Sequence, residues 1–406
     1  MTGGVRRILF VHYTTPQVLG GVEQVMAAHA AALLAAGKDV AVLAGRGGVK
    51  PRGVRVIRVA EADSRHPAVE RELAALSKGV RTPAYDALVA RLLGKIRPHV
   101  KRADRVVVHN VMTMPMNLAL TEALATLARE HPGRFIAWTH DISYFDERYA
   151  AMRRDGAPWD LLTRAIPGVR YVTVSEQRAE QLSRLTRLAR GKIEVVTNGV
   201  DMGEVLGLAP TGLRLAQRLH LFDADPLLLL PVRLTRRKRV EAAIDATVVL
   251  RRRGRAAMLV VTGTVGPHDA TNKAYLAELS RRAKGVQGVH LLAALGLRIK
   301  YGTVVDLFSL ADVLVFPSET EGFGIPMLEA GLHRLPIVCS DIPALRETGG
   351  DDPIYIPADA SGEVIADAIE RAVDTPVMRM RARARDHAWD RVLRERVLPV
   401  ILGRVA

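Results

Sequence analysis

The stretch ADVLVFPSETEGFGIPMLEAGLHRLPIVCS, residues 311–340, decides the fold. An apolar run ends near Phe316, a loop of glycine and acidic residues follows, Pro326 opens a helical pattern, and apolar residues resume at Leu335. This reads as strand, helix and parallel strand: proline's fixed φ suits a first helical turn. A continuously apolar strand suits a sheet covered on both faces. Glu321 then lies in the loop and Glu329 in the helix, with seven residues between them. At that spacing they fit paired catalysts, a metal site, or charges on a turn.

The same alternation runs outward in both directions. Strand candidates of the first half are RILFVHY, DVAVLAG, VRVIRVA, DRVVVHN, RFIAWTHD, YVTVS and KIEVVTNG. Those of the second are LLLLPVRL, AMLVVTGT, GVHLLAAL, DVLVFPS, LPIVCS and PIYIP. The pattern loosens over 199–226, and 406 residues exceed what one core usually supports. We therefore expect an α/β protein of two doubly wound domains, 1–200 and 201–387, facing across a cleft at the carboxyl ends of their strands. ARARDHAWDRVLRERVLPVILGRV reads as a helix whose apolar stripe returns, from about 388 to 406, to the first domain. Residues 61–100 read as two charged helices broken near Pro83, either an excursion toward an acceptor or a solvated pair.

Hydrophobic residues at 49% with a mean hydropathy of +0.09 supply two cores. No apolar run approaches the roughly 18 residues that cross a bilayer. The start MTGGVRRILFVHY lacks a signal-peptide core, so a cytoplasmic location is expected. The single Cys339, inside LPIVCS, excludes disulfides and a zinc cluster and reads as a buried thiol. The net charge is +15, and residues 1–198 hold 30 basic and 18 acidic side chains, or +12 of it. A basic first half suits nucleic acid, an anionic membrane surface or an acidic substrate, and equally a set of solvated helix faces.

Four features carry chemistry. In 319–331, Gly322 and Gly324 free the backbone to turn amides toward one point, where the helix start adds partial positive charge, a setting for phosphate. With no His or Asp interleaved, a metal is not expected there. A turn shaped by Gly and Pro with both glutamates solvated fits the spacing as well. In PVRLTRRKRVEAAI, Arg233 at a strand end and Lys238 at a helix start can hold a diphosphate. Arg236, Arg237 and Arg239 read as solvated. The run has no aromatic residue, which disfavours nucleic acid. Gly20 and Gly21 open the first helix and allow close approach of a ligand, without the G-x-G-x-x-G fingerprint of dinucleotide binding. His140, in WTHD at a strand end, faces the expected cleft, an address that His109 in VVVHN shares. The DAD at 223–225 reads as a cap or turn in the linker.

Together these residues resemble the retaining glycosyltransferases of the GT-B fold, specifically the GT4 family. Glu321, seven residues and Glu329 match its E-x7-E signature, and EGFGIPMLEAG is close to its usual wording. Arg233 and Lys238 have four residues between them, as in that family, and TNGVD at 197–201 looks like its lead into the interdomain linker. The resemblance covers nearly the whole chain, is specific in the second half, and is loose in the first half and over 61–100. It implies two Rossmann-like domains, an acceptor-binding one and a nucleotide-sugar-binding one. It implies a hexosyl transfer from a UDP-, GDP- or ADP-sugar, without metal or cofactor, by front-face attack. Arg233 and Lys238 would hold the diphosphate, and the backbone of Phe323, Gly324 and Ile325 phosphate or sugar. Glu321 would take the sugar hydroxyls, Glu329 the ribose, and His140 the sugar near its anomeric carbon. The partners would be that donor and an acceptor, anionic or lipid-linked, with the basic first domain at the inner membrane face. A sugar-nucleotide epimerase, a phosphorylase, and a basic nucleic-acid- or membrane-binding module with a degenerate site are the competing readings.

Overall fold

The computed structural model of the chain describes residues 4–15, 20–47, 52–263 and 270–403. It divides into two units, Met1–Gly199 with Trp389–Ala406, and Val200–Ala388. The division falls one residue before the expected boundary. Among the described residues, no helix is long and apolar enough to cross a membrane.

The first unit is built on a seven-stranded sheet of β1 (Arg7–Val11), β2 (Asp39–Ala44), β3 (Arg55–Arg58), β4 (Arg105–His109), β5 (Phe135–Thr139), β6 (Val169–Thr173) and β7 (Ile193–Val195). Their order is β3-β2-β1-β4-β5-β6-β7, all neighbours parallel. Register makes the alternation of side chains physical. Leu9 lies between Ala41 and Val106 in a row facing one core, and Phe10 lies between Val42 and Val107 facing the other. Helices Pro67–Leu76, Pro83–Arg102 and Leu118–Glu130 fill the first core, through Leu88, Leu92, Ile96 and Leu124 among others. The charged pair over 61–100 is thus no solvated excursion, because one face of each helix is core. Helix Gly21–Ala35 and the returning carboxyl-terminal segment fill the second core.

That return is not one helix, as the sequence pattern suggests. Helix Pro376–Asp386 stays with the second unit, the chain breaks at His387 and Ala388, and Trp389–Leu402 continues helically through a π turn at Leu393–Val397. Arg105 and Arg170 donate to the carbonyls of Ile401 and Val400, which the helix end leaves unpaired. A side chain on Gly199 would stand 2.4 Å from the Trp389 ring, so this glycine is the room the return needs.

The second unit has a six-stranded parallel sheet, β10-β9-β8-β11-β12-β13. Its strands are β8 (Leu227–Leu230), β9 (Met258–Val261), β10 (Val289–Leu291), β11 (Val313–Phe316), β12 (Ile337–Ser340) and β13 (Ile354–Ile356). The thirteen apolar runs of the sequence are these thirteen strands. Since β9 and β10 lie to one side of β8, and β12 and β13 to the far side of β11, the chain reverses its winding between β8 and β11. The segments leaving those two strands diverge and open a crevice at their carboxyl ends.

At the opposite edge, a buried carboxylate anchors the sheet. Asp312 accepts from the Leu227 amide at 2.7 Å, from Arg381 at 3.0 Å and from Arg385, which also donates to the carbonyls of Ala224 and Leu310. The side chains of Asp312 and Arg385 are 6% and 4% exposed. Removing the carboxylate leaves a guanidinium buried without its counter-charge, so Asp312→Ala should cost about 3–5 kcal/mol. Urea denaturation measures this, and a loss below about 1 kcal/mol would show the network to be dispensable.

Candidate functional site

In the second unit, the segment after β8 carries Arg233, makes a 3-10 turn at Arg236–Lys238 and enters helix Val240–Arg252. The segment after β11 carries Glu319–Gly324 and enters helix Ile325–Leu332. The two segments are tied together. The Glu319 amide donates to the Arg237 carbonyl at 2.8 Å, and the Arg237 guanidinium donates to the Thr320 carbonyl at 2.7 Å. Lys238 Nζ donates to Glu321 Oε1, while Glu321 Oε2 lies 3.6 Å from Arg237. Both side chains of the Lys238–Glu321 pair are under a tenth exposed. The ammonium also stands 5.2 Å from the Phe316 ring centroid, at the end of β11. Burial lowers the pKa of Lys238, Glu321 opposes that, and the charges of Arg237 and Arg233 reinforce it.

Arg233 itself is exposed and pairs with nothing among the described residues. Arg236 and Arg237 are exposed, as their reading as solvated expects, but both have partners, and for Arg239, half-buried, that reading is corrected. Arg236 pairs with Glu278, Arg237 clamps the acidic loop, and Arg239 donates to the carbonyls of Ala358 and Ala360. Their partners are tens of residues away, where sequence spacing gives no sign of them.

Among the described residues, the amides of Gly322, Phe323 and Gly324 find no acceptor, so three unpaired donors lie just before the start of helix Ile325–Leu332. Gly324 has φ of 98°, and a Cβ there would stand 2.7 Å from Leu345. Phe323 and Ile325 expose their side chains, and the Phe323 carbonyl is held by Thr348. Glu329, in the helix, accepts from the Tyr301 hydroxyl. The hydroxyls of Thr235, Ser318 and Ser340 are buried without partners around the carboxyl ends of β8, β11 and β12. Unpaired buried hydroxyls are uncommon, and the sequence reading missed all three. No group of three His, Cys, Asp or Glu side chains suited to a metal occurs among the described residues.

In the first unit the polar residues gather where β1, β4 and β5 end. Glu23, in the first turn of helix Gly21–Ala35, accepts from Thr14 at 2.6 Å, and His12 Nε2 lies 3.6 Å from the same oxygen. Burial would raise the pKa of Glu23, but hydrogen bonds from His12, Thr14 and its own amide bring it down to about 2. A Cβ on Gly20 would stand 2.3 Å from that carboxylate, so Gly20 makes room for Glu23, while Gly21 has open space around it. Residues 16–19, just before them in sequence, lie outside the described residues. The sequence reading passed over Glu23, although its place three residues after Gly20 was the available signal.

His140 is 7% exposed. Asn110, at a φ of 60°, accepts from the amides of His140 and Asp141 at 2.8 and 3.1 Å and donates to the Asp141 carboxylate. His140 Nε2 lies 3.1 Å from His109 Nδ1. Burial lowers the pKa of His140 to about 4, Asp141 opposing and His12 assisting, so the ring is neutral at pH 7. The structure thus brings Lys238 with Glu321, and His140 with His109, while Glu329 and Arg233 make no hydrogen bond to Lys238 or Glu321.

Two family models match the chain, "Glycosyltransferase Family 4" over residues 19–204 and "Glycosyl transferases group 1" over 214–389. An alpha-D-kanosaminyltransferase of Streptomyces kanamyceticus is 28% identical over 255 residues, 62% of this chain and 60% of that protein. The chain therefore spans about three-fifths of that relative's length. A glycogen synthase of Mycobacterium tuberculosis is 27% identical over 400 residues, 93% of this chain and 89% of that protein. Among solved structures, WaaG, a glycosyltransferase involved in lipopolysaccharide biosynthesis, is similar with a TM-score of 0.37 at 19% identity, covering 98% of this chain and all of that one.

The depressed pKa of Glu23 gives a pH signature. A carboxylate whose folded pKa lies below its ordinary 4.5 stabilises the fold above that value and loses the contribution as the pH falls toward 2. Wild type should exceed Glu23→Gln by about 2–3 kcal/mol at pH 7. Urea denaturation at pH 7, 4.5 and 3 should show the gap narrowing below pH 4.5, and a gap that stays constant to pH 3 would refute the assignment.

Proposed function

The chain belongs to the GT4-like glycosyltransferases of the GT-B fold, and from that premise we propose that it moves a hexosyl group from a nucleotide-sugar to an acceptor hydroxyl, with retention of configuration and without a metal. The observation that carries the reading is the arrangement on the two segments leaving β8 and β11. There a buried Lys238, aligned by Glu321, stands near an unpaired Arg233 and three free amides.

On this reading the bond from the anomeric carbon to the β-phosphate oxygen breaks as the acceptor oxygen forms its bond on the same face. The departing phosphate takes the acceptor's proton. Negative charge grows on that phosphate, so fixed cations and amides aimed at it lower the barrier, because they bind the transition state better than the ground state. Arg233 and Lys238 supply the charge that a metal supplies elsewhere. Glu321 aligns Lys238 and meets the sugar hydroxyls, and Glu329 meets the ribose. The unpaired amides of Gly322, Phe323 and Gly324 meet the phosphate, the backbone of Ile325 meets phosphate or sugar, and neutral His140 donates or accepts at the transferred sugar. The excess positive charge of residues 1–198 favours an anionic acceptor, lipid-linked at a membrane surface.

The test is incubation with UDP-, GDP- and ADP-hexoses in EDTA, following release of the nucleoside diphosphate by mass spectrometry. One donor should turn over, and Arg233→Ala, exposed and unpaired, should slow it about a hundredfold with unfolding unchanged. Lys238→Met should slow it at least as much. No nucleotide release from any donor, release that EDTA abolishes, or full activity in Arg233→Ala would each defeat the proposal.

A further inference from the structure

The proposed reaction leaves His109 without a role, yet its surroundings are unusual. The ring is fully buried, at the end of β4 beside the switch from β1. His109 stacks on Trp138 with centroids 5.9 Å apart, and on His140 at 5.4 Å. His29 closes the other side at 5.8 Å. Of its two ring nitrogens, Nδ1 lies 3.1 Å from His140 Nε2, and Nε2 is buried with no partner. The His109 carbonyl is occupied by His12 Nδ1 at 2.9 Å. His140 has used its Nε2 on His109, and its Nδ1 makes no hydrogen bond among the described residues.

Two neutral rings sharing one hydrogen bond have two arrangements. If His140 donates, His109 Nδ1 accepts, and the proton of His109 must sit on Nε2, a buried N–H with no acceptor. If His109 donates from Nδ1, what remains at its Nε2 is a lone pair with no donor. Orphaned buried N–H groups are rarer than unused acceptors, so the second arrangement is favoured. It has a consequence one residue further on, because His140 then accepts at Nε2 and must carry its own proton at Nδ1.

We propose that His109 is a positioning residue that holds His140 in its Nδ1–H tautomer, so that the free nitrogen of His140 is a hydrogen-bond donor. The role of that donor rests on the glycosyl-transfer reading above: it would serve an oxygen of the transferred sugar or of the scissile linkage. His109 touches neither and acts only through His140. Burial and the neighbouring imidazoles keep His109 uncharged, as burial keeps His140, so the shared bond persists across neutral pH. His12, Glu23, Asp141 and His29 are the other titratable groups around the pair.

The experiment is long-range 1H–15N correlation on protein labelled at histidine, read without substrate, with the His140 signals assigned by loss in His140→Gln. Wild type should show His140 with its proton on Nδ1. In His109→Leu, which removes the donor, His140 should move to the Nε2–H form or an average of the two. An asparagine side chain at this position places an amide where the ring Nδ1 stood, so His109→Asn should restore the Nδ1–H form. This variant also keeps the test decisive if His109→Leu fails to fold. With a working donor, kcat should fall about ten- to a hundredfold in His109→Leu, with KM nearly unchanged, and recover in His109→Asn. An Nε2–H His140 in wild type, or a tautomer indifferent to position 109, overturns the proposal whatever the enzyme does. The expected tautomers without any glycosyl transfer would instead count against the proposed function alone.

Discussion

The side-by-side pairing of β8 and β11 is the constraint on which the second unit's site depends. These strands are 85 residues apart at Leu228 and Val313, and only the reversal of winding between them puts their following segments on the rim of one crevice. Once there, a lysine from one segment and a glutamate from the other are close enough to bond. The pair is buried, so its attraction is offset by desolvation of both charges. It contributes register more than stability: Arg237, clamped to Thr320 and Glu319, and Lys238, bonded to Glu321, hold the two loops at one separation. A diphosphate-sized anion needs its cations and amides already spaced, because ordering them at the moment of reaction would cost the entropy that catalysis has to recover.

The two units have opposite electrostatic characters where their strands end. The second presents cations and free amides. The first presents neutral imidazoles, and its buried carboxylate, Glu23, is already engaged by Thr14 and His12. This difference follows from burial. A histidine buried in the company of Trp138 and other imidazoles sheds its proton, whereas the buried Lys238 has Glu321 against it. Neutral donors and acceptors discriminate hydroxyl geometry because an unmatched one is left unpaired.

The elements of the fold were legible in the sequence because parallel strands buried on both faces are continuous apolar runs, and thirteen such runs are hard to mistake. The loop-to-helix turn of 319–331 was legible for a similar reason, since glycine freedom, a proline-started helix and acidic flanks are local properties. What sequence spacing did not show was partnership over distance. Arg237 reads as a solvated arginine in a basic run until Thr320 and Glu321 are beside it. Gly20 reads as an opening for ligand until Glu23 fills it. His109 reads as one more histidine at a strand end until its Nδ1 meets His140. The terminal helix was misread because the apolar stripe continues through His387 and Ala388, although the chain changes units there.

Glu329 and Lys238, which the proposed reaction assigns to the donor, have partners within the chain, and the chemistry of those partners makes them suited to exchange or sharing. Glu329 is bonded by the Tyr301 hydroxyl, on a side chain that is 65% exposed. A ribose hydroxyl replacing it gives back a bond of the same type, so the exchange costs little. Lys238 differs, because its partner is a charge. An ammonium has three donors, and Glu321 uses one of them, so the remaining two can turn to phosphate without breaking the pair. As the leaving group gains charge, the lysine's bonds to it strengthen while its bond to Glu321 need not lengthen. The carboxylate that balances the charge of Lys238 is therefore better placed to aim it. The uncompensated positive charge of the site is left to Arg233, which no group among the described residues restrains.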